Sequence, residues 1–213
     1  MPLSVTSLEP AGSGGASVRV HLSDDTSYVL TPAQVRRLGL EAGRTLSGAD
    51  RERLRETADF REARGRALDY LSHRDRTRRE LERYLRRKGY EEPVVSRVVE
   101  RCEELDYLDD RRFAEGWVRD RIRLKPRGRV RLRAELREKG VDPDDAEAAI
   151  DRAFREVDVS ERDLLERAAR KRWKARRSDD PRTVRRRLVG YLQRRGFPFA
   201  EIRQVVDELM DQE

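Results

Sequence analysis

Arg79-Glu80-Leu81-Glu82-Arg83-Tyr84-Leu85-Arg86-Arg87-Lys88-Gly89-Tyr90 decides the fold, because its pattern returns twice along the chain. The second copy reads Val130-Arg131-Leu132-Arg133-Ala134-Glu135-Leu136-Arg137-Glu138-Lys139-Gly140-Val141. The third reads Arg186-Arg187-Leu188-Val189-Gly190-Tyr191-Leu192-Gln193-Arg194-Arg195-Gly196-Phe197. Aligned on Gly89, Gly140 and Gly196, the copies lie 51 and 56 residues apart. Leu81, Leu132 and Leu188 fall eight residues before the glycine, and Leu85, Leu136 and Leu192 four before it. Leucines four apart share one helix face. Lys88, Lys139 and Arg195 precede the glycine directly, where a cation suits the negative end of a helix. Glycine accepts the left-handed conformation that ends a helix, and an apolar residue after it packs back onto that helix. Tyr90, Val141 and Phe197 hold that position.

Working outward, Pro93, Pro143 and Pro198 restart the chain soon after each copy. Asp142-Pro143 reads as an N-cap followed by a first-position proline. Thr77-x-x-Glu80 reads as a capping box opening the first leucine helix, and Asp180-Pro181 opens the third. A further helix follows in each copy, with apolar stripes Val95/Val98/Val99, Ala146/Ala149/Ile150 and Ile202/Val205/Val206. A helix bearing aromatics precedes each: Tyr70, then Phe113 and Trp117, then Trp173. The expected fold is mainly α, with three tandem three-helix repeats over residues 58–106, 107–158 and 159–213. A single unit buries little, so neighbours supply stability and the molecule is expected to be elongated and curved.

Residues 1–57 read differently. Ser17-Val18-Arg19-Val20-His21-Leu22 alternates as a strand does, Ser23-Asp24-Asp25 turns, and Ser27-Tyr28-Val29-Leu30 returns. Thr31-Pro32 starts a short helix that stops at Gly39, and Ser47 caps another. A small N-terminal β-hairpin/helix segment, a strand pair plus short helices, is expected. Gly12-Ser13-Gly14-Gly15 is a tail and not a phosphate loop, because no Lys-Ser/Thr pair follows it.

Charged residues make up 43% of the chain and hydrophobic ones 36%, enough for several thin cores but not one thick one. The net charge is +7 and the isoelectric point about 9.9, which favours polyanions or acidic protein patches. With 49 cations against 42 acids, many charges pair on helix faces. Only five cations are Lys, and Arg makes bidentate contacts that Lys cannot. Cys102 is the single cysteine and lies on an apolar stripe, as a buried small hydrophobe does. With His21 and His73 as the only histidines, in different regions, no zinc or iron site can be assembled. No nucleophile elbow, Walker loop or dinucleotide fingerprint is present. Asp109-Asp110 and Asp144-Asp145 read as helix caps. No catalytic, metal or cofactor residue is expected. With no signal-like or membrane-spanning apolar run, the reading is a soluble, cytoplasmic, monomeric, non-enzymatic binding protein.

The positive signal is Arg119, Arg121, Arg123, Lys125, Arg127, Arg129, Arg131 and Arg133, eight cations against one acid, Asp120. Pro126 and Gly128 break the helix there, so the cations fan around a corner that the run itself cannot neutralise. Such a surface fits phosphates, with salt-dependent affinity, or an acidic protein groove; a solvated turn is the plainer alternative. Weaker clusters are Arg74, Arg76, Arg78 and Arg79 at the first junction, and Lys171, Arg172 and Lys174, with Arg170, Arg176 and Arg177, late in the chain. Arg185, Arg186 and Arg187 follow. Trp117 and Trp173 sit at core spacing, with base stacking as the alternative.

Tyr107-Leu108-Asp109-Asp110-Arg111-Arg112-Phe113-Ala114 through Trp117-Val118-Arg119-Asp120-Arg121 resembles the central signature of the RecX regulatory proteins. In that family a Tyr-Ile/Leu-Asp/Asn-Asp turn precedes a Phe-Ala helix, followed by a basic Pro/Gly loop and an Arg-Ile/Leu-x-x-Glu-Leu-x-x-Lys-Gly helix. Lys125-Pro126-Arg127-Gly128 and Arg131 through Val141 are similar, as are Ala67 through Leu71 and Thr77 through Leu81. The likeness runs from about Phe60 to the C-terminus, and the third copy, with Gly190 inside its helix, departs most. It implies a partner, the RecA recombinase: family members settle in the groove of the RecA–single-stranded DNA filament. There they lower strand exchange, ATP hydrolysis and the co-protease activity that triggers the SOS response, as negative regulators of DNA repair. Weak direct binding to single- or double-stranded DNA is a secondary expectation. The rival reading is a basic helical DNA-binding protein or repressor acting directly on nucleic acid.

Overall fold

The computed structural model describes residues 2–12, 16–174 and 180–211. Among them the order is β1 (Val5–Pro10), β2 (Val18–Leu22), β3 (Ser27–Leu30), α1 (Pro32–Arg37), α2 (Gly48–Ser72), α3 (Arg78–Arg87), α4 (Glu92–Glu104), α5 (Asp110–Leu124), α6 (Arg129–Lys139), α7 (Pro143–Val157), α8 (Glu161–Lys174), α9 (Pro181–Arg194) and α10 (Phe199–Asp211). The three leucine helices are α3, α6 and α9, and all six aligned leucines are buried. Gly89, Gly140 and Gly196 take φ of +91°, +88° and +79°. The next residue in each case donates its N–H back to the second leucine's carbonyl: Tyr90 to Leu85, Val141 to Leu136, Phe197 to Leu192. That six-to-one bond is the closure a left-handed glycine permits. The chain is therefore mainly helical, with three tandem three-helix repeats. It divides into two compact units, Met1–Asp75 with Leu81–Leu108, and Arg76–Glu80 with Asp109–Glu213.

In the first unit an antiparallel sheet of order β1-β2-β3 precedes the helices. The strand pair expected from sequence gains a third strand, β1. Its register shifts between Val5 and Ser7, and such a bulge erases the period-two alternation that reveals a strand. Val5, Val20, Leu22 and Leu30 pack with Leu54 and Ala58 of α2. The second half of α2 turns Ala63 and Ala67 into another core, with Leu81, Leu85, Val95, Val98, Val99 and Cys102. One uninterrupted helix thus serves both cores, and the division expected between residues 57 and 58 falls inside it. Cys102 is buried and unpaired, and burial pushes its thiol's pKa up. Tyr70 stacks on Tyr84 with centroids 4.0 Å apart.

In the second unit the expectation of separate thin cores gives way to one shared core. Phe113, Val118 and Ile122 of α5, Leu132 and Leu136 of α6, and Ile150 and Phe154 of α7 join Leu164 and Leu165 of α8, Leu188 and Leu192 of α9, and Ile202 and Val206 of α10. Trp117 and Trp173 pack against it, both partly buried.

Two joints inside this unit share one geometry. Thr77, capping α3, donates its hydroxyl to the Lys139 carbonyl at the end of α6, 2.7 Å away. Gly128, capping α6, donates its N–H to the Arg195 carbonyl at the end of α9, 2.8 Å away. The N–H of Arg78 is accepted by Asp110 at the start of α5 (2.8 Å), and that of Arg129 by Glu161 at the start of α8 (2.7 Å). At both joints the residues that open a leucine helix meet the last carbonyls of a later one, with an acid from the following repeat as extra cap. Helix dipoles meet head to tail and orphan N–H groups are satisfied. The Thr77–Glu80 capping box is formed as expected, while Asp110 serves a helix other than its own.

Candidate partner-binding surface

α5 ends at Leu124 and α6 starts after Gly128, so Lys125-Pro126-Arg127 forms the corner between them. The eight corner cations separate into three groups. Arg121, Arg127 and Arg131 converge on Glu135, whose side chain is 7% exposed. Arg121 Nε lies 2.9 Å from Oε2 and Arg131 Nε 3.1 Å from Oε1. Arg127 Nε stands at 3.4 Å, an ion pair without hydrogen-bond geometry. Trp117 Nε1 also donates to this carboxylate at 3.1 Å, and the Arg121 guanidinium lies 3.9 Å over the indole centroid. Burial opposes ionisation of Glu135, but hydrogen bonds from Arg121 and Arg131 overcome it and hold its pKa below the ordinary carboxylate value.

The second group faces α7. Arg129 pairs with Asp151 at 2.6 Å and Glu147 at 3.4 Å, and lies over the Phe154 ring. Arg133 pairs with Glu147 at 2.5 Å, and Arg119 with Glu156 at 3.2 Å. Most of the corner is thus neutralised from outside the run. The run holds almost no acid, but the fold brings Glu135, Glu147, Asp151 and Glu156 to it. The third group is Arg123 and Lys125, both exposed, whose side chains make no hydrogen bond or ion pair to another described residue. Beside them Leu124 is 71% exposed and Val130 61%. The outward face of the corner is therefore two cations with two aliphatic side chains.

The weaker candidates scatter. Arg74 belongs to the first unit, where its guanidinium donates to the Asp75 carbonyl. Arg76, Arg78 and Arg79 belong to the second, and Arg79 packs against Gly140. Lys171 is exposed, and Arg172 is half-buried with its guanidinium 5.3 Å from the Tyr191 ring centroid. The side chain of Lys174 lies outside the described residues, as do Arg176 and Arg177. Sequence reading missed Arg195, which donates to the Pro126 carbonyl at 2.7 Å and stacks on Tyr191. Burial lowers its pKa, with nearby Arg127 and Arg172 adding to the effect. No group of His, Cys, Asp and Glu among the described residues could hold a metal ion, and no helix among them is long and apolar enough to cross a membrane.

Three tandem helical repeats, the second bearing a basic corner, define a tandem helical-repeat protein. Comparison with known proteins gives the family. Residues 63–102, 109–150 and 160–206 match the first, second and third three-helix domains of RecX. The regulatory protein RecX of Prosthecochloris aestuarii is 39% identical over 153 residues, covering 72% of this chain and 97% of that protein. RecX of Mycobacterium sp. strain JLS is 41% identical over 141 residues, 64% of this chain and 75% of that protein. A crystal structure of regulatory protein RecX superposes with a TM-score of 0.72 at 21% identity, covering 96% of this chain and 99% of that one. The chain belongs to the RecX family.

Proposed function

We propose that this protein is a non-enzymatic regulator that binds the RecA–single-stranded DNA filament and lowers its recombinase, ATPase and co-protease activities, tempering recombinational repair and the SOS response. Family membership carries the reading, since the relatives are named regulatory proteins. The basic corner from Arg119 to Arg133 fits an anionic partner, and Arg123 and Lys125 are the cations there that the fold leaves available. Multivalent contact by several small repeats raises avidity without one strong site.

In a RecA-dependent strand-exchange or ATPase assay, substoichiometric protein is expected to inhibit. Absence of inhibition at equimolar protein overturns the reading. Arg123→Glu with Lys125→Glu is expected to weaken inhibition by about tenfold, since rim charges act mainly through association rate, with melting unchanged. Unaltered inhibition removes the corner from the binding surface.

A further inference from the structure

The third repeat carries a feature that the filament reading does not use. Arg186, Gly190 and Arg194 follow at four-residue spacing on α9 and so share one helix face. With Arg187 beside them and Arg172 from α8, they line a cleft of about 420 Å³. Among the described residues no carboxylate lines it. The side chains of Arg186 and Arg194 make no hydrogen bond or ion pair to another described residue. By contrast Arg185, one position away, pairs with Asp207 at 2.5 Å. Stacking on Tyr191 by Arg172, at 5.3 Å, and by Arg195, at 4.5 Å, holds positive charge close to the cleft.

Gly190 also lines the cleft. A glycine inside a helix costs about 1 kcal/mol relative to alanine. Its backbone is not left-handed, so no turn requires it. Nor does close packing: an added Cβ would meet only the flexible end of Arg194, at 3.3 Å. What glycine leaves is room for the Arg194 guanidinium to lie close over the helix.

We propose that this cleft is a binding site for a phosphate group, held by Arg172, Arg186 and Arg194. Guanidinium forks approaching from two helices suit a tetrahedral oxyanion whose oxygens point in several directions. A carboxylate presents two oxygens in one plane and leaves most of these donors unused. Arg186, Arg187 and Arg194 are exposed, so the phosphate can belong to a phosphodiester strand or be free in solution.

The test uses the full chain without RecA, so its result is independent of the filament reading. A labelled oligothymidylate and inorganic pyrophosphate are titrated separately, with polyglutamate as competitor. Gly190→Leu keeps every charge, improves helix propensity and fills the cleft; Arg186→Gln with Arg194→Gln removes two cations. Both variants are expected to lower affinity about tenfold or more with melting maintained. For the strand, the double variant should also reduce the slope of log K against log salt by roughly one for each phosphate that is no longer neutralised. Competition by millimolar pyrophosphate assigns the site to free phosphates; its failure to compete with the strand assigns it to phosphodiesters. Wild-type affinity in Gly190→Leu, binding of neither probe by the wild type, or tighter binding of polyglutamate than of both, each overturns the proposal.

Discussion

Replacing Glu135 by Leu is expected to lower the melting temperature more than any change to the exposed cations. Glu135 is buried and is the common anion for Arg121, Arg127 and Arg131. Removing one partner of a buried pair costs about 3–5 kcal/mol, because charge is left uncompensated. In a chain of this size each kcal/mol corresponds to roughly 2–4 °C, so a fall of about 6–20 °C is expected. Glu135→Gln keeps an acceptor for Trp117 Nε1 and should fall between. The sign of the pH dependence follows from the depressed pKa of Glu135. Its contribution is present above the unfolded carboxylate value, about 4.3, and is lost as pH falls through the lower folded value. Glu135→Gln should therefore lose that part of the acid-induced destabilisation. Thermal denaturation of the three proteins between pH 3 and 7 measures both effects; equal melting temperatures at neutral pH would contradict the network's role. By the same logic Arg121→Glu with Arg127→Glu places carboxylates against Glu135 and should collapse melting, whereas Arg123→Glu with Lys125→Glu should not.

That contrast marks where the sequence was legible and where it stopped. The repeats were plain because each rests on local rules: leucines four apart, a glycine that must turn left-handed, and a proline or capping acid at the restart. All six leucines and all three glycines behave as the spacing predicts. β1 was hidden because its bulge breaks the alternation on which strand reading depends. The corner was half legible. Its cations are close together in sequence, but the acids that answer them lie beyond the run, Glu135 further along α6 and Glu147, Asp151 and Glu156 on α7. A charge count within a window cannot see such partners. The joints were missed for the same reason. Yet Asp110 and Glu161 lie 51 residues apart, as do Thr77 and Gly128, and Arg78 and Arg129. The period that located the leucine helices was also carrying their caps.

Those joints support a graded set of glycine-to-alanine variants. Gly89 is left-handed, with nothing within 4 Å of an added Cβ. Gly89→Ala should therefore cost only the left-handed strain, about 1–2 kcal/mol. Gly128 has an ordinary φ of −75°, but its Cβ would fall on the Gly196 carbonyl, 2.5 Å from the carbon, and 2.8 Å from the Glu161 carboxylate that caps α6. Backbone cannot step aside as a side chain can, so Gly128→Ala should cost roughly 1–3 kcal/mol as overpacking, with loss of that cap added. Gly196 combines both conditions: φ of +79° and a Cβ 2.5 Å from that of Arg131. Gly196→Ala should thus be the most destabilising of the three, at about 2–5 kcal/mol from strain and clash together. Urea unfolding of the three variants measures the order directly. If Gly128→Ala proves as mild as Gly89→Ala, the contact between the second and third leucine helices is not rigid. If Gly196→Ala matches Gly89→Ala, the joint yields at no cost and backbone strain alone explains the glycine. The expected order instead makes the joint between α6 and α9 a fixed element, on which the basic corner and the arginine cleft are both mounted.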